Sequence, residues 1–243
     1  MSKITFALQV ILWPVVWLHM WLFGNLRVIG AENTKGHKVG AIFAVNHSSQ
    51  IDPILLPVAL NPFSPLLPMY YVSRDREFYE MRGITRYAYG GLVFKIFGAY
   101  PATVGIKDYE KMLMHHINIL CRGHSVCIFP EGGLSKNGEL GQGKPGVAYL
   151  LWRTRRPVIP VAIHGHHKMQ PKDFFACKHS LSVSCGKPIT WEDIFGEDPN
   201  CAEPTHDELI KVTQIIMSRI KEMLVACNST KTEVARVVHA DFK

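Results

Sequence analysis

Residues 46–53 read NHSSQIDP and place a histidine and an aspartate five positions apart, with a proline directly after the aspartate. A histidine held by a carboxylate is a general base, because the carboxylate fixes the tautomer and stabilises the imidazolium that forms. Pro53 is favoured in the first turn of a helix and Asp52 at its N-cap. We therefore expect a strand that ends at His47, a tight turn, and a helix from Asp52. Such a turn lets the two side chains face each other, whereas on one straight helix they would point about 140° apart.

A catalytic triad would need a nucleophile as the third member. No G-x-S-x-G elbow occurs in the chain, and Ser48 and Ser49 are too close in sequence to His47 to make persuasive nucleophiles. The pair therefore favours direct activation of a substrate hydroxyl. The simpler alternative, in which Asp52 only caps a helix and His47 only packs, stays open at this stage, because the spacing is short and common.

A second segment with chemical potential is 129–138, FPEGGLSKNG, where an apolar run ends in a glycine-rich loop with one acid. Backbone N–H groups in such loops bind oxyanions and phosphates. Packing does not account for an acid such as Glu131 at a strand end in a basic protein. The alternative to a functional role is that Glu131 is only an exposed acid in a glycine turn. A third strand end, 158–165, reads VIPVAIHG and feeds another loop.

Histidine and cysteine clusters do not form a persuasive metal site. His115 and His116 are adjacent, so on a helix they cannot share one ligand face, and a polar loop explains HGHH at 164–167 more simply. The six cysteines contain no C-x-x-C pair, which favours reduced thiols over a zinc site. We predict no metal.

The composition suits one domain with a sizeable core, since 47% of the 243 residues are hydrophobic and only 19% are charged. The net charge of +7 is compatible with anionic lipids, anionic small substrates or nucleic acid. Nucleic-acid binding needs clustered Lys and Arg with stacking aromatics, and the chain has no such block. We predict no nucleic-acid partner.

Strand and helix patterns alternate along the chain. Apolar runs predict strands at 26–33, 40–47, 69–74, 125–130 and 157–165, and the alternating pattern at 179–189 predicts an edge strand. Helical patterns occur at 52–60, 76–98, 105–123, 146–154 and 205–224, the last with a capping box from Thr205 to Glu208. This order predicts an α/β fold with a mostly parallel central sheet flanked by helices. We place that domain at 26–225 and a loose tail at 226–243.

The N-terminal segment 1–25 is predicted to associate with a membrane. No formal charge occurs between Lys3 and Arg27, and the run is long enough to cross a bilayer. It is longer than the apolar region of a signal peptide and lacks a clear cleavage site. Trp13, Trp17 and Trp21 share one helical face, and Pro14 is expected to kink the helix. We favour a helix in one leaflet, as a broken helical pair, over a spanning helix; a buried core helix is the remaining alternative.

The motifs together resemble the glycerolipid acyltransferase family that includes 1-acylglycerol-3-phosphate acyltransferase. The family's N-H-x₄-D motif is present as Asn46, His47 and Asp52. Its F-P-E-G motif and its apolar V-P-V-A type strand follow in the same order, as Phe129, Pro130, Glu131 and Gly132 and then as Ile159, Pro160, Val161 and Ala162. The resemblance runs from about residue 26 to about residue 189.

Two basic residues of the family pattern are replaced. Val104 stands at the arginine of the second motif, in GAYPATV at 98–104, and Leu134 stands at the arginine that often follows F-P-E-G. Arg74 and Lys144 fall where the family often has lysines, and Lys107 and Lys136 are further cations that can compensate. The departures leave the acceptor headgroup open, so a lyso-lipid other than 1-acylglycerol-3-phosphate is included.

The resemblance implies acyl transfer without a covalent enzyme intermediate, in phospholipid biosynthesis. His47 would take the proton of an acceptor hydroxyl, Asp52 would orient His47, and backbone donors near Gly132 and Gly133 or in the fourth motif would hold the oxyanion. The donor would be acyl-CoA or acyl-carrier protein, with no cofactor, on the cytoplasmic side of a membrane whose lipid is the other partner. Glu131 would position the acceptor or brace the loop. The residues predicted to bind substrate are Arg74, Glu131, Gly132, Gly133 and Lys144. The residues predicted to support the motifs are Asn46, Phe129, Pro130 and Pro160. A catalytically silent lipid-binding relative and an acyl-thioester hydrolase are the alternatives.

Overall fold

The computed structural model describes residues 3–74, 96–103, 108–165, 167, 180–198 and 202–240, with side chains up to 227. The helix predicted at 76–98 lies almost wholly outside these residues. In chain order the elements are α1 (Lys3–Gly24), β1 (Arg27–Ile29), a 3₁₀ turn (Ala31–Thr34), β2 (Ile42–Val45), α2 (Asp52–Ala59), β3 (Met69–Ser73), β4 (Ala99–Pro101), α3 (Tyr109–Cys121), β5 (Ser125–Ile128), α4 (Gly146–Thr154), β6 (Val158–His164), β7 (Ser182–Cys185), α5 (Trp191–Phe195) and α6 (His206–Ala240).

Within the described residues, seven strands form one sheet in the order β1-β7-β6-β2-β5-β3-β4. All neighbouring strands are parallel except β6 and β7, which run antiparallel. The predicted α/β fold with a mostly parallel sheet is confirmed. β4 carries only three residues and was not predicted as a strand.

The prediction that β7 is an edge strand is wrong, because β1 pairs outside it. Alternation of serine with apolar residues is typical of a strand with one solvated face. Here the serine face is covered by α6 instead, and Ser184 Oγ lies 3.4 Å from Cys227 Sγ on that helix. The short, exposed strand β1 takes the edge position.

Helices cover both faces of the sheet, which explains why β2 is apolar throughout. Ile42 and Ala44 pack in the layer formed by α3, α4, α5 and α6. Phe43 and Val45 face the opposite way, into the layer with α2 and the packed side of α1. A strand buried on both faces has no polar position along its length, so the alternation of a half-exposed strand is absent.

Helix α1 is continuous through Pro14, so the predicted broken helical pair is wrong. Its docked face is held by Gln9, which bonds both backbone groups of Met69, and by the Trp13 indole N–H, which donates to Leu60 O. Both contacts come before the proline, and beyond it Met20 is buried against the domain. Contacts with the domain on both sides of Pro14 therefore offset its missing N–H. The predicted tryptophan face is confirmed, since the rings of Trp13, Trp17 and Trp21 stack in series.

The opposite face of α1 is apolar and exposed, which contradicts the alternative of a buried core helix. Ile11 and Val15 are 67% and 66% exposed. Within the described ranges, α1 is the one helix that is long enough and apolar enough to cross a membrane. The helix therefore favours membrane association.

Helix α6 begins with the predicted capping box, in which the Thr205 N–H donates to Glu208 Oε2 at 2.8 Å. It continues to Ala240, well beyond the predicted end at 224, so most of the segment 226–243 is helical rather than loose. No glycine or proline occurs between 225 and 240. The amphipathic pattern fades there, but the sequence contains no stop signal.

The buried histidine of α3 predicts an acid-sensitive core. His116 is fully buried beside Tyr100 O, and burial lowers the pKa of its imidazole to about 4, from 6.5. The unfolded chain binds this proton more readily than the folded chain does. The free energy of unfolding is therefore unaffected by this group above pH about 6.5, and it decreases by about 3 kcal/mol in all as the pH falls toward 4. Urea unfolding of wild type and His116→Gln across this range measures the difference. His115→Gln, at an exposed neighbour, is the matched control; a wild-type slope equal to that of His116→Gln would contradict the prediction.

Candidate active site

His47 and Asp52 face each other across the turn between β2 and α2. His47 Nδ1 lies 2.9 Å from Asp52 Oδ2, and the backbone N–H groups of Ser48 and Ser49 donate to the same oxygen at 2.9 and 3.0 Å. The aspartate side chain is fully buried, whereas the histidine ring retains 18% exposure. A carboxylate accepts from Nδ1–H, so the lone pair lies on Nε2, the nitrogen available to a substrate.

Helix α2 begins at Asp52, as predicted, but Asp52 is not its N-cap. The N-cap position belongs to Ile51, and Pro53 lies in the first turn. The carboxylate points back at the turn and the histidine ring rather than at the helix amides. This geometry favours an oriented base over the alternative of a simple cap. Ser48 and Ser49 contribute backbone amides to Asp52, which identifies them as parts of the turn.

Phe129, at the end of β5, packs flat on the catalytic candidate. The ring centroids of His47 and Phe129 are 4.0 Å apart, with 19° between the planes. Strands β2 and β5 are paired neighbours, so their carboxyl ends meet at one edge of the sheet. Phe129 therefore fixes the ring plane of His47, a contact that the motif alone does not specify.

Glu131 braces the backbone around His47. Its Oε1 accepts the His47 N–H at 2.8 Å, and its Oε2 accepts the Gly141 N–H at 2.8 Å. On the other side of the residue, His47 O accepts the Ser135 N–H at 2.7 Å. The loop 131–141 thus holds His47 from two directions, and these contacts favour the bracing role of Glu131.

Asn46 joins the carboxyl ends of β2 and β6. Its side-chain amide donates to Ile163 O at 2.9 Å, and its Oδ1 accepts the Ile163 N–H at 2.7 Å. The parallel ladder between the strands ends at Val45 and Val161, so the asparagine side chain takes over where backbone pairing stops. Its role is to hold the strand end that carries His47.

Replacing Asn46 with alanine is expected to destabilise the fold by about 2–4 kcal/mol, because both backbone groups of Ile163 lose a buried partner. Urea unfolding at neutral pH measures the free energy of unfolding. Asn118→Ala, on the exposed side of α3, is the matched control and is expected to change little. Equal stability of the Asn46 and Asn118 variants would refute the clamp.

Two cations converge on the glycine loop. Arg74 donates to Gly132 O through Nη2 at 2.6 Å and through Nε at 3.2 Å. Lys144 also lies against this loop. Its backbone N–H donates to Pro130 O at 2.8 Å, and a Cβ added to Gly132 would lie 2.7 Å from the side-chain atom Lys144 Nζ. Gly132 also adopts a φ of +69°, which favours glycine. Gly133 lies against Arg74, since a Cβ there would be 3.1 Å from Nη2.

A polar cavity of about 320 Å³ opens beside this loop. Its lining includes Arg74, Glu131, Lys136 and Gln142. Leu134, which stands where the family pattern often has an arginine, also lines the cavity. His47 is not a lining residue, and Glu131 connects the cavity to it. The cavity suits a charged headgroup better than an acyl chain. Val104 and Lys107 lie outside the described residues.

Pro160 lies away from these contacts. It is buried within β6, where it pairs with Ala44, and its carbonyl accepts the Gly186 N–H at 2.8 Å. Its link to the site runs through the strand to Ile163 and Asn46. A role in supporting the strand stays a prediction.

Among the described residues, no group of three His, Cys, Asp or Glu side chains is placed to hold a metal ion. His166 lies outside those residues, so the prediction of no metal is untested. His115 and His116 point to different sides of α3, one exposed and one buried, as expected.

A family model described as Acyltransferase matches residues 25–164, which is more than half of the chain. The chain belongs to the Acyltransferase family. The family assignment drawn from the motifs is confirmed. The match contains the His47–Asp52 pair, the glycine loop and both cations that contact it.

Curated relatives of this Acyltransferase-family chain carry related names. It is 25% identical over 157 residues to the chloroplastic 1-acyl-sn-glycerol-3-phosphate acyltransferase LPAT1 of Arabidopsis thaliana, covering 61% of this chain and 38% of that protein. It is 24% identical over 183 residues to 1-acyl-sn-glycerol-3-phosphate acyltransferase of Cocos nucifera, covering 72% and 53%. The matched part therefore spans about half or less of the length of these relatives.

A solved structure has the same fold. The 1-acyl-sn-glycerophosphate acyltransferase PlsC of Thermotoga maritima superposes with a TM-score of 0.56 at 20% identity, over 89% of this chain and 79% of that one. This likeness supports the Acyltransferase-family fold of the sheet and its helices.

Proposed function

We propose that this chain transfers a fatty acyl group from acyl-CoA or acyl-carrier protein to the free hydroxyl of a lyso-glycerolipid, 1-acylglycerol-3-phosphate or a related lyso-lipid. The observation that carries the proposal is the His47–Asp52 pair, joined at 2.9 Å at the carboxyl end of β2. The names of the curated relatives support the lyso-glycerolipid acceptor. Phospholipid biosynthesis is the corresponding pathway class.

In this mechanism His47 acts first as base and then as acid. The acceptor O–H bond breaks as its proton moves to Nε2, and the oxygen bonds to the thioester carbonyl carbon. Collapse of the tetrahedral intermediate breaks the C–S bond, and the leaving thiolate takes the proton back from Nε2. Asp52 orients the ring throughout and stabilises the imidazolium by its charge. No covalent enzyme intermediate and no cofactor are needed.

The oxyanion of the intermediate needs backbone donors near the glycine loop. The Gly132 N–H is already donated to Phe129 O at 2.9 Å, which removes it from this role. The Gly133 amide is the next donor along the same loop, and we assign the oxyanion to it. Arg74 holds the Gly132 carbonyl and so fixes the peptide that carries this amide.

The acceptor headgroup would lie in the cavity beside the loop. Arg74, Lys136 and Lys144 bring three cationic side chains to this region. Cations of this kind favour a phosphate or another anionic headgroup. Leu134 lines the cavity in place of an arginine, which weakens the requirement for a phosphate monoester.

The apolar helix would bring the site to lipid. One face of α1 lies against the domain, through residues that are buried or hydrogen-bonded to it: Thr5, Gln9, Trp13 and Met20. The opposite face is apolar. A bilayer can therefore cover only one side, which favours α1 lying in one leaflet over α1 crossing the membrane. We place the catalytic domain on the cytoplasmic side.

Acyl transfer by the full chain in vesicles tests the proposal. Labelled acyl-CoA or acyl-carrier protein is supplied with a panel of lyso-lipids, with a diacyl lipid that lacks the free hydroxyl as control. Labelled diacyl product that needs the lyso-lipid supports the proposal. Free fatty acid formed equally without any acceptor would favour a hydrolase, and lipid binding without turnover of any donor would favour a silent relative.

A further inference from the structure

The segment between α2 and β3 is clamped to the apolar helix at both ends. Leu60, at the end of α2, accepts a hydrogen bond from Trp13 Nε1 at 2.9 Å. Met69, at the start of β3, exchanges two hydrogen bonds of 2.8 Å with the side-chain amide of Gln9. Gln9 and Trp13 are four residues apart and therefore lie on one face of α1, one turn from each other. Residues 61–68, the clamped loop, thus leave and rejoin the domain beside this helix.

The clamp satisfies polar groups that an apolar environment would penalise. The Gln9 side-chain amide donates one hydrogen bond to the Met69 backbone and accepts another from it, and the Trp13 indole N–H donates to the Leu60 carbonyl. An unpaired amide transferred out of water costs several kcal/mol, whereas a paired one does not carry this penalty. The polar side chains of the α1 mid-section are therefore compatible with lipid around the helix and the loop.

The clamped loop holds an aromatic side chain out into solvent. Phe63 is 84% exposed, the largest exposure among the described large hydrophobic residues. Its N–H donates to Asn61 Oδ1 at 2.9 Å, and the Ser64 N–H donates to Asn61 O at 2.9 Å, so a hydrogen-bonded turn presents the ring. Further along, the Leu67 N–H donates to Ser64 O at 3.0 Å. A structured turn that exposes a phenylalanine favours a partner for the ring.

The charge and the apolar composition of α1 and the clamped loop favour a lipid surface as that partner. Five of the nine exposed large apolar side chains of α1 follow the spacing of one helical face, at Ile4, Ile11, Val15, Leu18 and Leu22. Neither α1 nor the clamped loop contains an acidic residue, and Lys3 and Arg27 bracket the helix. An apolar surface with cations at its ends fits a bilayer that contains anionic headgroups.

We propose that the clamped loop is a second membrane-contacting element, which inserts Phe63 into the same leaflet as the exposed face of α1. This inference rests on the membrane association in the proposed function. Gln9 and Trp13 set the height of the loop relative to the helix, so the two elements form one rigid footprint. Two contacts at different points on the domain fix its orientation, whereas a single helix leaves it free to rotate about its axis.

Photo-crosslinking identifies the occupant directly. The full chain carries p-benzoylphenylalanine at Phe63, at Val15 on the exposed face of α1, or at Met114, which is 51% exposed on α3 in the opposite layer. Each variant is reconstituted into vesicles of equal parts phosphatidylcholine and phosphatidylglycerol that contain a labelled phospholipid. We expect lipid adducts from positions 63 and 15 and none from position 114.

The other outcomes separate the two levels of the proposal. Lipid adducts from position 15 but not from position 63 would overturn the role of the loop and leave membrane association by α1 intact. Covalent dimers of the chain from position 63 would assign the ring to a second copy instead. Absence of adducts from both positions would overturn membrane association and this inference together.

The energetic contribution is measured separately with Phe63→Asp. We expect its partition into the same vesicles to weaken by about tenfold or more, because a buried phenylalanine is lost. Met114→Asp is the matched control, and thermal melting followed by circular dichroism checks that both variants fold. Equal vesicle binding by the wild type and both folded variants would contradict the inference.

Discussion

Replacing His47 with glutamine is expected to lower the rate of acyl transfer about a thousandfold, equivalent to about 4 kcal/mol of transition-state stabilisation. Glutamine is close in size and retains a donor for Asp52, but its amide cannot take the proton of an alcohol. The site should therefore keep its shape and lose its base. Single-turnover transfer of a labelled acyl group from the donor to a lyso-lipid in vesicles measures the effect.

His115→Gln is the matched control for this measurement, because it changes the same residue type at an exposed position of α3 and should transfer at the wild-type rate. The result also separates the candidate functions. Lipid binding that survives in His47→Gln, with transfer lost, indicates a base in an active enzyme. Transfer that persists at the wild-type rate would remove His47 from the mechanism.

The fold could be predicted because its signals are local. The run 40–45 is apolar at every position, which is typical of a strand covered on both faces, and β2 lies at the centre of the sheet. The same holds for the start of α2, where an aspartate and a proline mark the first turn. Each pattern is contained within one element and does not depend on its neighbours.

The errors have a common physical origin in contacts between elements. The alternating run 179–189 predicted an edge strand, yet α6 covers its serine face and β1 pairs beyond it. Pro14 predicted a break in α1, yet contacts with the domain through Gln9 and Trp13 before the proline, and through Met20 after it, hold the helix. In both cases tertiary packing overrides a local preference.

The site divides in the same way. The residue types and their five-residue spacing predicted that His47 and Asp52 meet, and they do. Phe129 stacks on the His47 ring, and the His47 N–H donates a hydrogen bond to Glu131. Both contacts join positions more than 80 residues apart, and the sequence did not predict their geometry. The F-P-E-G motif marked both residues without specifying what they contact.

Asp52 carries the second large expected effect. Asp52→Asn is expected to reduce acyl transfer by about 10²–10⁴-fold, because the neutral amide cannot stabilise an imidazolium and can donate to Nδ1. Donation to Nδ1 would move the imidazole proton to Nε2, the nitrogen that must accept from the acceptor hydroxyl. Transfer kinetics measure the loss, and ¹⁵N NMR of labelled histidine reports which nitrogen carries the proton.

A purely structural role for Asp52 predicts a different pattern. The carboxylate oxygen accepts from Ser48 N–H and Ser49 N–H as well as from the ring, so its replacement also destabilises the turn. If that were its whole role, the remaining folded protein would keep the Nδ1–H tautomer and the wild-type rate per folded molecule. Asp108→Asn is the control, because Asp108 caps α3 through the Lys111 N–H at 3.1 Å and has no contact with the histidine. We expect this control to change the stability little, because asparagine caps a helix about as well as aspartate, and to keep the wild-type activity. Asp52→Asn, in contrast, loses activity even when fully folded and shows the changed tautomer.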